Sequence, residues 1–212
     1  MSEIASFLRL EKGGRISSAL QQLVEAGIVA ADENVNPLTG RKGREVLYRM
    51  RDNYSRFYLK YIEPAAKMID EDAFEFGSLD RLEGWEAIMG LSFENLVVNN
   101  FRNIAGAIGL GAAQIVSAAP YRREGGRKKG AGGVQIDLLV QTRRSVCLVE
   151  IKRKREIGRE IIDEVDEKVR RLPRRQGVSV RTALVYEGYL APIVEADGYF
   201  DSIIPFRSLL GL

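Results

Sequence analysis

The fold is predicted from residues 134–152, which read VQIDLLVQTRRSVCLVEIK. Two apolar runs, residues 134–140 and 145–151, lie on either side of a short polar turn that contains Thr142, Arg143 and Arg144. Apolar runs of this length around a short polar turn are typical of two strands joined as a hairpin. The sequence therefore predicts that these runs are adjacent antiparallel strands of one sheet.

Three charged residues stand in these apolar strands: Asp137 in the first, and Glu150 and Lys152 at the end of the second. Residues two apart in a strand point to the same face, so Glu150 and Lys152 share a face and Ile151 points to the other. In the predicted hairpin the two carboxylates lie at neighbouring points. Burying such charges is costly unless they pair or bind a metal, so a structural salt bridge and an active site both stay open.

The segments around this hairpin predict the rest of the sheet. A long helix is expected over residues 82–108, with a break around Gly90, and a first strand opens at Ile115 and Val116. Residues 120–133 are expected to form a basic, Gly-rich loop, residues 158–172 a helix and residues 181–186 another strand. This order predicts an α/β fold with a mixed, partly parallel sheet flanked by helices.

The N-terminal third has a different pattern. Two short helices around Gly13 and Gly14 precede a strand, a turn-rich stretch at residues 34–40 and a second strand. Helix, turn, helix and hairpin is the order of a winged helix, here without room for its usual first helix. An aromatic-rich helical stretch interrupted by Pro64 follows. We therefore predict a small partial winged-helix domain over residues 1–53, a helical connector over 54–80 and the α/β domain over 81–212.

The composition excludes several kinds of chemistry. The chain has no histidine and one cysteine, Cys147. These counts exclude Ser-His-Asp and Cys-His catalysis, a Cys-clustered zinc site and a disulfide framework. An enzyme with this composition must use carboxylates, Lys, Arg, Tyr, Ser or an oxygen-ligated metal.

Positive charge is concentrated in the middle of the chain. Residues 121–175 carry 17 Lys and Arg against 9 Asp and Glu, whereas the whole chain has a net charge of only +3. A local excess of this kind suggests a polyanion contact, and a solvated basic face or loop stays open as the alternative. The residues predicted to contact nucleic-acid phosphates are Arg122, Arg123, Arg127, Lys128, Lys129 and Lys154. A second candidate surface for DNA is the exposed side of the second N-terminal helix: Arg15, Ser17, Ser18, Gln21 and Gln22.

The charged pattern in the hairpin resembles the PD-(D/E)XK nuclease superfamily, whose motif is an Asp on one strand and Glu/Asp-X-Lys on the next. Asp137, Glu150 and Lys152 match that motif, and Glu94 matches the Glu that a preceding helix often supplies. The resemblance implies a restriction-endonuclease-like fold with all four as catalytic residues. Asp137 and Glu150 would then bind Mg²⁺ or Mn²⁺, and Lys152 would orient the attacking water.

The sequence departs from this family at one point. Many relatives place a Gln in the helix after Glu-X-Lys, where this chain has no Gln and offers the carboxylates Asp163, Glu164, Asp166 and Glu167.

Nearly the whole chain also resembles the C-terminal region of a prokaryotic, archaeal-type DEXX-box ATPase family. In that family a P-loop ATPase precedes a winged helix, a stretch like YRMRDNYSRFY at residues 48–58, and a PD-(D/E)XK-like domain. No G-x-x-x-x-G-K-[ST] motif occurs in this chain, so it is not itself an ATPase. The resemblance implies that it corresponds to the C-terminal part of such a protein.

The leading hypothesis for function is a metal-dependent DNA endonuclease-like module. Two alternatives stay open: a non-catalytic nucleic-acid-binding or protein-interaction module that regulates an ATPase, and a winged-helix transcription regulator. DNA and an ATPase domain or subunit are the expected partners, and self-association as a homodimer stays open. No membrane partner is expected, and the expected location is the cytoplasm.

Overall fold

The computed structural model describes residues 2–11, 13–75, 77–111, 114–125 and 132–210. The chain forms two compact units, Met1–Asp32 with Val46–Ser92 and Glu33–Glu45 with Phe93–Leu212. The three-part division into residues 1–53, 54–80 and 81–212 stays a prediction.

The first unit begins with helices α1 (Ser2–Phe7) and α2 (Gly14–Glu25). On α2, Ile16 and Leu20 are one turn apart and are buried together with Ala5 of α1. Strands β1 (Val29–Val35) and β2 (Lys42–Met50) follow and pair in a two-stranded sheet, whose residues 33–35 and 42–45 are counted in the second unit. The predicted order of helix, turn, helix and hairpin is therefore present, with longer strands than expected. Its assignment as a winged helix stays a prediction.

The aromatic-rich stretch is helical, as predicted, but changes its pitch. Helix α3 (Asn53–Phe57) continues into a π-helical turn (Tyr58–Ile62), a 3₁₀ turn (Glu63–Ala65) and helix α4 (Ala66–Asp70). Asp52 caps α3 by accepting a hydrogen bond from the Ser55 N–H at 2.7 Å. Pro64 lies in the 3₁₀ turn, because it has no N–H for an α-helical hydrogen bond.

The second unit is built on a five-stranded mixed sheet. Its strands are β3 (Ile115–Arg123), β4 (Val134–Thr142), β5 (Ser145–Ile157), β6 (Ser179–Leu190) and β7 (Ser202–Pro205), in that spatial order. Strands β3, β4 and β5 pair antiparallel, whereas β5, β6 and β7 pair parallel. The predicted antiparallel hairpin and the partly parallel sheet are confirmed.

Helices cover both faces of this sheet. On one face, Val97 of helix α5 (Trp85–Asn99) and Ile104 of helix α6 (Phe101–Ala107) pack with Val149 of β5. On the other, Ile161 and Val165 of helix α7 (Glu160–Arg171) and Val194 of helix α8 (Pro192–Ala196) pack with Leu148. The prediction of a mixed sheet flanked by helices is therefore confirmed. None of the helices in the described residues is long and apolar enough to cross a membrane.

Two local predictions were wrong. The long helix breaks at Asn100 and not at Gly90, which lies inside α5. The Asn100 side chain donates to the Leu96 carbonyl at 2.8 Å and so competes with the helical backbone at that point. The predicted loop 120–133 begins later than expected, because β3 extends to Arg123.

Candidate active site

A β-bulge in the β3–β4 pair lies at Asp137. Ala119 pairs with Leu139 and Tyr121 pairs with Ile136, so Pro120 alone lies opposite Asp137 and Leu138. Proline has no N–H to donate to a ladder and is tolerated in a sheet at such irregular points. Bulges redirect side chains and occur often beside active sites. The bulge therefore changes the direction of β4 at the predicted catalytic aspartate.

Asp137 is tied to the neighbouring strand by its side chain. The β4–β5 pairing runs from Gln141 and Val146 to Leu138 and Val149. One residue farther along, Asp137 Oδ2 accepts a hydrogen bond from the backbone N–H of Ile151 at 2.9 Å. The predicted proximity of Asp137 to the Glu-X-Lys segment is therefore present.

Glu150 is buried between two ammonium groups. Its side chain is only 3% exposed. Lys152 Nζ lies 3.7 Å from its Oε1, and Lys168 Nζ lies 2.5 Å from its Oε2. Ile151 packs into the core on the opposite face, as the strand alternation predicts. Glu150 thus faces positive charge on both of its oxygens.

Helix α7 contributes two residues that the sequence analysis did not assign to the site. Glu164 Oε2 accepts a hydrogen bond from Lys152 at 2.7 Å, and Lys168 contacts Glu150. Residues four apart lie on one side of a helix, and these two border the apolar stripe that α7 buries. An acidic and a basic residue at this spacing beside an apolar stripe was the signal that could have identified them. Glu164 belongs to the acidic group noted where relatives carry a Gln.

Glu94 lies on α5 and is half-buried. Its charge is close enough to Asp137 to raise the pKa of that carboxyl. The structure therefore brings all four predicted catalytic residues into one electrostatic cluster, while their catalytic roles stay predictions.

Two carboxyl groups of the cluster, those of Asp137 and Glu150, resist ionisation. Burial raises the pKa of Glu150 to about 7, and the charge of Asp137 adds to this shift while Lys168 opposes it. Burial also raises the pKa of Asp137, where Lys168 opposes the shift and Glu94 adds to it. Close carboxylates with raised pKa values occur at catalytic sites, and structural ion-pair networks perturb pKa values as well.

The donor atoms fit a hard divalent cation. Asp137 and Glu150 supply carboxylate oxygens, which Mg²⁺ and Mn²⁺ prefer, and a cation would offset the burial that raises both pKa values and the charge of Asp137 that adds to the shift of Glu150. Among the described residues, no group of three or more Asp, Glu or Cys side chains is arranged to hold a metal ion. The predicted site has two carboxylates, so a metal there would need further oxygen ligands, such as the Ile151 carbonyl or water.

The predicted nucleic-acid contacts differ in their surroundings. Arg122 is exposed at the end of β3. Arg123 instead donates to the carbonyl oxygens of Gly132 at 3.3 Å and Arg171 at 3.0 Å. Lys154 forms an exposed ion pair with Glu160 at 3.3 Å. Arg127, Lys128 and Lys129 lie outside the described residues. On α2, Arg15, Ser17, Ser18, Gln21 and Gln22 are exposed, as expected.

The chain is similar in part to solved structures, among them a Vibrio cholerae protein and a repair endonuclease. No protein-family model and no curated protein sequence matches the chain. The crystal structure of protein VC1899 from Vibrio cholerae superposes on this chain with a TM-score of 0.43 and a sequence identity of 15%. The match covers 93% of this chain and 40% of that chain. A repair endonuclease from Pyrococcus abyssi is 15% identical with a TM-score of 0.32, over 62% of this chain and 48% of that chain.

This chain therefore spans less than half the length of either protein. At TM-scores below 0.5, neither match assigns a fold or a function to it. The relationship to the C-terminal region of a DEXX-box ATPase stays a prediction.

Proposed function

We propose that the second unit is a metal-dependent nuclease-like module that hydrolyses phosphodiester bonds in DNA. The proposal is carried by one observation: Asp137, Glu150 and Lys152 converge where β4 and β5 stop pairing, with Glu94 within electrostatic reach. Their order along the chain and their positions on the two strands match the nuclease motif.

Asp137 and Glu150 are the residues that would hold Mg²⁺ or Mn²⁺. A bound ion of this kind supplies polarisation of the scissile phosphate and a lower pKa of a coordinated water. The hydrogen bond from the Ile151 N–H fixes the orientation of the Asp137 carboxylate before any ligand arrives. Packing of Ile151 in the core holds Glu150 and Lys152 on the opposite face.

Lys152 is suited to stabilising negative charge on a phosphate. Burial lowers the pKa of Lys152, but the hydrogen bond to Glu164 and the charge of Glu150 outweigh burial, so the pKa is raised. The ammonium therefore stays protonated at neutral pH and acts as a cation and hydrogen-bond donor rather than as a general base. Glu164 acts as a positioning residue for it.

The test is cleavage of plasmid DNA by the full chain in Mg²⁺ or Mn²⁺. Asp137→Asn, Glu150→Gln and Lys152→Ala should each abolish cleavage. The two carboxylate variants should also lose metal binding, whereas Lys152→Ala should retain it, because an ammonium is not a metal ligand. Asp163→Asn is the matched control, since Asp163 is an exposed carboxylate on α7 paired only loosely with Arg159 at 3.9 Å. Full cleavage by the three site variants would refute the proposal.

A second candidate is a non-catalytic module that binds nucleic acid or a protein partner. It is favoured by the ion pairs from α7, because Lys168 and Glu164 give Glu150 and Lys152 partners of opposite charge within the chain. A structural network of this kind needs no metal. DNA binding by the wild-type chain without cleavage in Mg²⁺ or Mn²⁺ would favour this candidate.

A further inference from the structure

Lys168 holds the position of a counter-ion at the proposed metal site. Its Nζ lies 2.5 Å from Glu150 Oε2, and its charge also acts on Asp137. One ammonium from α7 thus interacts with both carboxylates that are proposed as metal ligands. The sequence resemblance gave no role to this lysine.

The formal charges around this position do not balance. In the fully ionised state that a bound cation would favour, Glu94, Asp137, Glu150 and Glu164 contribute four negative charges, and Lys152 and Lys168 contribute two positive charges. The remaining formal charge of −2 equals the charge that one divalent cation neutralises. The cluster therefore favours a further cation, although Lys168 already occupies one oxygen of Glu150.

We propose that Lys168 is an internal counter-ion that competes with a divalent cation for Glu150 and must leave that carboxylate when the cation binds. The proposal rests on the proposed function, because it concerns the same two carboxylates. It adds a regulatory role for Lys168. This lysine stabilises the two carboxylates in the metal-free chain and lowers the affinity of the site for metal.

The competition follows from distance and charge. A Mg²⁺ ligand oxygen lies about 2.0–2.1 Å from the ion. Glu150 has an ammonium on each side, at 2.5 Å and 3.7 Å. An ion bound to the oxygen that Lys168 contacts would repel the ammonium at very short range. Metal and Lys168 therefore cannot both keep that oxygen.

A cation on Glu150 would displace Lys168 rather than Lys152, because Lys152 has a second carboxylate partner. The contact of Lys168 is with Glu150 itself, and its ammonium is carried on a flexible four-carbon chain. Lys152 is held at 2.7 Å by Glu164 and is therefore retained near the carboxylates. Displacement of Lys168 leaves the proposed phosphate-facing lysine in place.

The test measures Mn²⁺ binding to the full chain by isothermal titration without nucleic acid. Lys168→Met removes the charge and keeps the length of the side chain, and it should bind Mn²⁺ roughly tenfold more tightly than wild type. Lys168→Arg keeps the charge and should bind as weakly as wild type. Lys42→Met is the matched control: Lys42 also hydrogen-bonds a glutamate, Glu33, but both side chains are exposed. It should bind Mn²⁺ like wild type.

Thermal unfolding gives a second readout if Lys168→Met weakens the fold. The variant leaves the buried Glu150 carboxylate without one of its two ammonium neighbours, so Mn²⁺ should raise its melting temperature by more than it raises that of wild type. Adding Glu150→Gln to Lys168→Met should remove both the gain in affinity and the larger thermal shift.

The outcomes separate the two proposals. If wild type binds Mn²⁺ and Lys168→Met binds equally or more weakly, the competition is refuted while the metal site stands. If neither protein binds Mn²⁺ at millimolar concentration, both the competition and the metal-dependent function are refuted.

Discussion

The side chain of Asp137 and the backbone of Ile151 are joined by a hydrogen bond of 2.9 Å from the Ile151 N–H to Asp137 Oδ2. The bond lies one residue beyond the last β4–β5 pair, Leu138 with Val149. Asp137 therefore continues the connection between the strands through its side chain. One residue thus has two separable properties, a negative charge and a hydrogen-bond acceptor.

These two properties are separated by comparing Asp137→Asn with Asp137→Val. Both variants lose the charge, but only Asn keeps an acceptor for the Ile151 N–H. Leaving a buried N–H without a partner costs about 1–3 kcal/mol. We expect Asp137→Val to have a free energy of unfolding lower than that of Asp137→Asn by about that amount, measured by urea denaturation without metal.

Asp137→Asn should be as stable as wild type or more stable in the absence of metal. Burial and the charge of Glu94 raise the pKa of Asp137, so its ionised form is disfavoured in the folded chain. A marked fall in the melting temperature of Asp137→Asn would show that Asp137 is mainly a salt-bridge partner. Equal stabilities of the Asn and Val variants would contradict the structural role of the hydrogen bond.

The stability of the chain should fall as the pH rises through the titration of Glu150. Burial raises its pKa from the ordinary value of 4.5 to about 7, and the charge of Asp137 adds to the shift. Between these values the unfolded chain releases the proton of Glu150 while the folded chain keeps it, so rising pH favours unfolding. The groups that face Glu150 are Asp137, Lys152 and Lys168. The shift in the pKa of Glu150 gives an expected fall in the free energy of unfolding of about 2–3 kcal/mol between pH 4.5 and pH 7.

Urea denaturation at several pH values checks this dependence. Glu150→Gln should flatten the decline between pH 4.5 and pH 7, and Asp163→Asn should leave it unchanged. The opposite result would be a free energy of unfolding that rises over this interval in wild type but not in Glu150→Gln. It would mean that Lys152 and Lys168 affect the pKa of Glu150 more strongly than burial does. The pKa of Glu150 would then be lowered rather than raised.

Much of the second unit was predictable because its signals are local. The apolar runs of β4 and β5 and the polar turn between them specify the hairpin, and strand alternation puts Glu150 and Lys152 on one face. The near-continuous apolar run around Leu184 predicted a covered parallel strand, and β6 does pair parallel with β5. Each of these features depends on periodicity over fewer than ten residues.

The contribution of α7 was not predictable in the same way. Its Glu164 and Lys168 contact β5 residues 12 and 18 positions away in sequence. Helical periodicity identifies which side of α7 is apolar, but not where along the sheet that side packs. The β-bulge at Asp137 was missed for a similar reason, because it depends on the register of β4 against β3.

Cys147 should be inert toward thiol reagents in the folded chain. It is 1% exposed within the apolar cluster on one face of the sheet. Burial raises the pKa of its thiol to about 11, with the charge of Arg181 opposing the shift, so the reactive thiolate is scarce at pH 8. Reaction with a disulfide reagent should appear only as urea unfolds the chain. Because the chain has one cysteine, fast labelling without urea would directly contradict this packing.

Arg122 and Arg123 are adjacent in sequence but should respond differently to loss of charge. Arg122 is exposed, so Arg122→Gln should weaken DNA binding and reduce the slope of log affinity against log salt by about 0.9, the value for one lost phosphate contact. Arg123 donates to the Gly132 and Arg171 carbonyls, so Arg123→Gln should lower the free energy of unfolding by about 1 kcal/mol. Fluorescence anisotropy over a series of salt concentrations measures the first effect, and urea denaturation measures the second.

An unchanged salt slope in Arg122→Gln would show that Arg122 does not contact a DNA phosphate. Unchanged stability in Arg123→Gln would show that its two hydrogen bonds are not needed by the fold, which would leave Arg123 available to bind phosphate.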